Sequence, residues 1–273
     1  MIIVPAERQK LWGPLAVANF VLGGMGAGLY ATAILVSGLS PLARLIGTWS
    51  VLLVVVGFLC VAVEAGRPFR GPNVLRMVRS SWMSRELWAG GAFILLVVAE
   101  MVAPILWIRT LALLAALVFI FCQGLILLMA RGIPAWNHPI VPVLFLTSGL
   151  LTGAAFLGMI DDVAGRWTWL TAGLLGLNGL VWVGYLIWPR DRAFLDATRN
   201  LRGRMALSGI IGLGHIVPLL LLLLPGDAGP VLAGLFALFG AILLKASLVL
   251  RAGQFRPVAF ASGPPTRVGG RPS

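Results

Sequence analysis

The sequence predicts an all-α integral membrane protein, a bundle of eight transmembrane helices with both termini cytoplasmic. Three observations carry that prediction. Hydrophobic residues make up 59% of the chain and charged residues 11%, against roughly 25% charged in soluble domains, and the mean hydropathy is +0.98. The apolar residues fall into eight runs of about the 20 residues that a helical span requires. Lysine and arginine are concentrated on one alternate set of the segments between those runs. No soluble core of 273 residues buries so much apolar surface, so the bilayer must be the solvent.

The spans are expected at 15–37, 42–65, 86–107, 110–130, 140–160, 167–188, 205–224 and 230–250. They form a transmembrane domain over 1–251, followed by a basic tail at 252–273. Trp12, Trp107, Trp136, Trp167, Trp169 and Trp188 sit near span ends, as an interfacial aromatic belt requires. Spans three and four are separated only by Trp107, Ile108, Arg109 and Thr110. MIIVPAERQKLW precedes an apolar run too long for a cleaved signal peptide and is expected to be a short tail entering the first span. Seventeen basic residues lie in the two tails and the even-numbered loops, while only Arg44, Arg109 and Arg166 lie opposite. The positive-inside bias therefore puts the termini and even loops in the cytoplasm of a cell with this protein in its inner membrane.

The net charge of +12 excludes little by itself, but its distribution does. The arginines sit in short loops beside membrane spans, with no soluble basic module, so nucleic acid is not an expected partner and membrane lipid is. Cys60 and Cys122 both fall in apolar runs and are expected to be small buried hydrophobes, since two lone cysteines hold neither zinc nor an iron–sulfur cluster.

Within the spans, Gly23-Gly24-Met25-Gly26-Ala27-Gly28 follows no strand, so it is not a dinucleotide fingerprint. Gly24 and Gly28 fit a small-xxx-small helix contact, and Gly173, Gly176, Gly179, Gly209, Gly212 and Gly214 are expected to act likewise. Ionisable groups inside spans are costly and mark function by default. Glu64 closes span two, Glu86 opens span three, and Glu100 lies about 21 Å further along nearly the same face. Glu86 and Glu100 are therefore candidates for a proton path. Gln123, Asn178 and His215 are further intramembrane polar groups, and Lys245 is expected to snorkel toward Arg251. Each has a plainer reading. Glu86 follows Ser84, a good N-cap; Glu64 can pair with Arg67 or Arg70; Glu100 can reach outer water; His215 can be a packing residue. A bis-histidine haem needs facing imidazoles, and His138 in a loop is mismatched in depth with His215 in a span, so neither haem nor metal is expected in this chain.

Two loops carry a family likeness. The stretch from Gly66 to Arg70, followed by Ser81-Trp82-Met83-Ser84-Arg85-Glu86, and the segment Gly132-Ile133-Pro134-Ala135-Trp136-Asn137-His138-Pro139 resemble the membrane anchor subunits of complex iron–sulfur molybdoenzymes, such as those of dimethyl sulfoxide reductase and polysulfide reductase. The resemblance implies a cofactor-free anchor that binds a quinone or quinol near a docked ferredoxin-like iron–sulfur subunit, with a molybdopterin catalytic subunit beyond it. Carried over by position, the family's quinone-associated glutamate is Glu86, and its histidine position holds Glu64, a departure. The motif segments nominate Glu64, Arg67, Trp82, Ser84, Arg85, Glu86, Trp136 and His138 for the quinone site, and Arg70, Arg76 and Arg79 for docking. Trp82, Met83 and Trp88 are expected to supply apolar walls. The alternative expectation is a small-solute or ion transporter that uses the intramembrane carboxylates.

Overall fold

The computed structural model describes residues 2–4, 7–37, 43–66, 71–160, 164–188, 191–226, 228–256 and 258–260. Arg67 and Arg70 lie outside the described residues. The long elements are α1 (Pro14–Ser37), α2 (Ala43–Glu64), α4 (Trp82–Val102), α5 (Leu106–Leu128), α6 (Ile140–Ile160), α7 (Ala164–Ile187) and α11 (Ala228–Ala246). Short helices α3 (Gly71–Val74) and α8 (Arg192–Ala197) lie in the loops. Helices α9 (Arg204–Leu207) and α10 (Val217–Leu221) are joined by a π-helical stretch, Ser208–Ile216. Seven helical segments among the described residues are long and apolar enough to cross a membrane, so the chain is a multi-pass membrane protein. Helix α4 is not among the seven, although its 21 residues give a rise of about 32 Å. Arg85, Glu86 and Glu100 lower its apolar character.

The break between the third and fourth expected spans lies earlier in the chain than its expected place. Helix α4 ends at Val102, and Ala103 is extended at φ −129°, ψ 97°. Proline disfavours the helical region for the residue before it, and the next residue here is Pro104. Ile105 is also extended, and α5 begins at Leu106. Arg109, counted as a loop charge above, is therefore a buried residue of α5.

Helix α1 occupies the middle of the bundle and packs on α2, α5, α6 and α11; α4 packs on α5 and α2, and α7 on α6. Helices α1 and α6 cross with their backbones in close approach. A Cβ on Gly28 would run into the backbone of Gly149, and one on Gly153 into the backbone of Gly28 and Leu29. Glycine at these positions lets the two backbones touch, as the small-xxx-small spacing implies. Gly24 shares that approach, since a Cβ on Gly149 would lie 3.1 Å from Gly24 O, and Gly23 and Gly24 also leave recesses for the side chains of Gln123 and Lys245. Gly214 meets Gly240 and Gly179 meets the His215 ring, whereas Gly173, Gly176 and Gly212 face open space and are not packing devices within the chain.

The two tails meet. Strand β1 (Ile2–Val4) pairs antiparallel with β2 (Val258–Phe260). The Arg8–Gln254 bridge keeps the same register. Gln9 N–H donates to Gly253 O and Phe255 N–H to Glu7 O, each at 2.8 Å. Ala252 and Gly253 are buried, so the beginning of the basic tail is part of the folded body. Cys122 is buried and Cys60 half-buried, and both are free thiols.

Candidate functional site

At the end of the bundle that carries the tails, α1, α2, α4 and α5 leave a cleft with a cavity volume of about 100 Å³. Leu11, Trp12, Phe20, Val61, Met83 and Ile126 give it apolar walls, and Asn19, Glu64 and Glu86 are its polar groups. That composition is typical of a small-molecule site, mostly apolar with a few convergent polar atoms.

The two glutamates reach the cleft by different routes. Glu64 is the last residue of α2, and its carboxylate accepts hydrogen bonds from the backbone N–H groups of Gly13 and Ala16. It therefore caps the N-terminus of α1 from a neighbouring helix, where the free N–H groups and the helix dipole favour an anion. Gly13 makes the approach possible, since a Cβ there would lie 2.9 Å from Glu64 Oε1. The expected pairing with Arg67 or Arg70 lies outside the described residues; within them Glu64 is an α1 cap.

Glu86 is buried in the second turn of α4. Its Oε1 accepts from Asn19 Nδ2 at 3.2 Å and from Gln123 Nε2 at 3.3 Å. Oε2 has no protein hydrogen bond among the described residues. The capping explanation for Glu86 fails, because Ser81 is the N-cap of α4 and accepts from Ser84 N–H. Glu86 is instead a buried carboxylate held by two side-chain amides on one oxygen, with its other oxygen available to the cleft. Asn19, an α1 residue missing from the intramembrane polar groups singled out above, is one of those amides. Its signal in the sequence was only an asparagine in an apolar run.

The rest of the SWMSRE motif organises the preceding loop. Ser84 Oγ donates to Val74 O at 2.5 Å, and Trp88 Nε1 donates to Leu75 O at 3.0 Å from one turn further along α4. Arg85 donates from Nε to Val78 O and from Nη2 to Arg79 O, each at 2.9 Å. Its guanidinium lies 4.0 Å over the Trp82 ring centroid. These side chains fold residues 74–79 against the start of α4. Trp82, Ser84, Arg85 and Trp88 consequently do not line the cleft, while Met83 and Glu86 do. Arg76 and Arg79 are exposed on that loop.

Trp136 and His138 are also placed away from the cleft lining. Trp136 Nε1 donates to Leu248 O at 2.8 Å, and its ring lies 5.4 Å from that of Trp12, which does line the cleft. His138 is buried among Tyr185, Trp188 and Phe194, with Nε2 at 2.9 Å from Trp188 O. His215 spans Ile210 O at 2.7 Å and Asn178 Oδ1 at 3.1 Å, and Asn178 Nδ2 donates to Thr147 Oγ1 at 2.8 Å.

Glu100 sits at the far end of α4, separated from Glu86 along the buried face by Gly90, Phe93 and Val97. It pairs with Arg109 Nε at 2.5 Å and accepts from the Tyr30 hydroxyl, so it is satisfied inside the bundle and does not lie in outer water. Breaking such a pair strands a buried charge. Arg109→Met is expected to destabilise the protein by about 3–5 kcal/mol, read as loss of thermal stability in detergent. Combining it with Glu100→Gln is expected to recover most of that loss in a double-mutant cycle.

Lys245 overturns its expectation. It does not snorkel: it is fully buried, and Nζ donates to Phe20 O at 2.6 Å in the second turn of α1. The recess at Gly24 captures the ammonium before it can extend toward water.

The fold and the cleft together define a class: a multi-pass helical membrane protein with an apolar, carboxylate-bearing cleft at one end of its bundle. No known family model matches the chain, and no curated protein matches it either.

Proposed function

We propose that the chain is the membrane anchor subunit of an iron–sulfur molybdoenzyme complex in the inner membrane. On this reading it holds a quinone or quinol in the cleft between α1, α2, α4 and α5 and exchanges electrons with a docked iron–sulfur subunit. One observation carries it. Glu64 and Glu86, which flank the motif loop in sequence, line the same apolar cleft, and Glu86 has one carboxylate oxygen without a hydrogen bond among the described residues. Quinone chemistry moves two electrons and two protons, so the headgroup needs a hydrogen-bonding, ionisable neighbour at the membrane edge. Glu86 is that neighbour. Glu64 acts chiefly as the α1 cap at the mouth, and Trp12, Phe20 and Met83 pack the ring and its tail. On this reading α4 is the eighth span, since its rise of about 32 Å matches a hydrocarbon core of about 30 Å, with its charged residues toward its two ends. The Lys/Arg bias then puts both tails and the cleft mouth on the cytoplasmic side.

Exposed Arg76 and Arg79, with Arg67 and Arg70 beside them in sequence, offer the basic surface for an acidic iron–sulfur partner, beyond which the molybdopterin subunit would sit. The subunit itself works without haem. The ring nitrogens of His215 and His138 are engaged within the protein fabric, by Ile210, Asn178, Trp188 and Ile140.

A photoreactive quinone analogue, irradiated with the protein in nanodiscs, tests the site. Labelling is expected in peptides that carry Leu11–Phe20, Val61–Ala65 and Met83–Glu86, and excess quinone should compete it away. Labelling spread over the lipid-facing helices, or none that competes, would reject the site and leave the transporter reading, which solute uptake into proteoliposomes would then examine.

A further inference from the structure

Lys245 is the least expected charge in the molecule. Among the described residues its Nζ has one hydrogen-bond acceptor, Phe20 O, and no carboxylate within ion-pair distance. An ammonium carries three donors, and a buried charge without compensation is costly. The elements around it are α1, with Phe20 O and Gly24; α5, with Gln123; and α6, with Gly149 and the Phe145 ring, whose centroid is 5.4 Å from Nζ. None of these contributes an acid. Gln123 also has an unmet need: its Oε1 is buried without a partner.

The orientation of the Gln123 amide is fixed chemically. Nε2 faces two acceptors, Glu86 Oε1 at 3.3 Å and Asn19 O at 3.4 Å, so reversing the amide would set oxygen against oxygen. Oε1 must therefore point the other way, and that way lies the lysine. A Cβ built on Gly24 would be 3.0 Å from Lys245 Nζ and 3.5 Å from Gln123 Oε1, so the two atoms border one recess. On the opposite side of the same amide is the carboxylate of Glu86.

We propose that Lys245, Gln123 and Glu86 form a single charge relay through the bundle, in which a bound water in the Gly24 recess joins the ammonium to Gln123 Oε1. Lys245 is then the counter-charge of Glu86, acting through the polarised amide. Hydrogen bonds in series reinforce one another in a low-dielectric interior. With carboxylate and ammonium the Glu86–Lys245 unit carries no net charge, and the amide keeps its own protons: it passes on the field of the ammonium, not a proton. Lys245 is thus a positioning residue for the cleft carboxylate. The inference does not depend on what the cleft binds.

Infrared spectroscopy of the purified full chain in nanodiscs tests this without any ligand. The Glu86→Gln difference spectrum assigns the protonated and ionised carboxyl bands of Glu86. At one fixed pH, Lys245→Met is expected to raise the ratio of protonated to ionised Glu86 by about tenfold or more, the equivalent of about 1.4 kcal/mol of lost charge compensation. Gln123→Leu should move the ratio in the same direction, and Lys245→Arg should restore it toward wild type. Lys245→Gln, which keeps a donor for Phe20 O, supplies the same reading where Lys245→Met does not fold. An unchanged ratio in the folded neutral variant would overturn the proposal and leave Lys245 as a packing residue hydrogen-bonded to α1.

Discussion

If the chain is the quinone-binding anchor proposed above, Glu86→Gln is expected to lower quinone-linked turnover of its complex by about a hundredfold or more, the usual range for loss of a general acid–base group. The substitution is nearly isosteric. Its amide oxygen can still accept from Asn19 Nδ2 and Gln123 Nε2, as Glu86 Oε1 does now. What disappears is the ionisable oxygen that faces the cleft. Assembly with the proposed partner subunits, followed by co-purification, should survive, because Ser81, Ser84, Arg85 and Trp88 hold the motif loop independently of Glu86. Glu86→Leu is the contrasting variant. It strands two buried amide donors and should lose stability as well as turnover. Full turnover in Glu86→Gln membranes would remove the carboxylate from the chemistry and leave it a hydrogen-bonded core residue.

Gly153→Leu should be the most damaging single change to the fold. Even the first carbon of the new side chain would meet the backbone of Gly28 and Leu29 on α1, and backbone cannot rotate away as a side chain can. The α1–α6 crossing must then separate, and α1 also carries contacts to α2, α5 and α11. A loss of about 3 kcal/mol or more is expected, seen as a lowered melting midpoint in detergent or failure to accumulate in the membrane. Gly91→Ala is the control: a Cβ there meets nothing within 4 Å. It should be neutral or slightly stabilising, since alanine is the better helix former. Equal damage from both substitutions would refute the close-crossing account.

The tail contacts extend the same logic to the cleft. Gln9 closes a small ring with Trp12, donating from Nε2 to Trp12 O at 2.7 Å and accepting from Trp12 N–H at 2.8 Å. Trp12 in turn packs between Phe20 and Trp136 with tilted rings, both centroids at 5.4 Å. The cleft wall is therefore braced by the loop that holds Trp136, even though Trp136 does not line the cleft. This is the position of one motif residue relative to the site: a support behind the first wall.

The sequence alone determined the properties that depend on local composition. Apolar runs of sufficient length locate the helices, because transfer into lipid is summed along each segment, and a four-residue glycine spacing marked the α1 face that meets α6 at Gly28. It also singled out Glu64, Glu86 and Glu100, because a carboxylate in an apolar run stands out whatever surrounds it. Tertiary structure decided what each polar group does. Glu64 is a cap because α1 begins beside the end of α2, and Glu100 is paired because Pro104 brings Arg109 back into the bundle. Lys245 points inward because Gly24, more than 200 residues earlier in the chain, leaves it room. Hydropathy is a sum over neighbours in sequence, whereas a hydrogen bond in lipid depends on which helices touch.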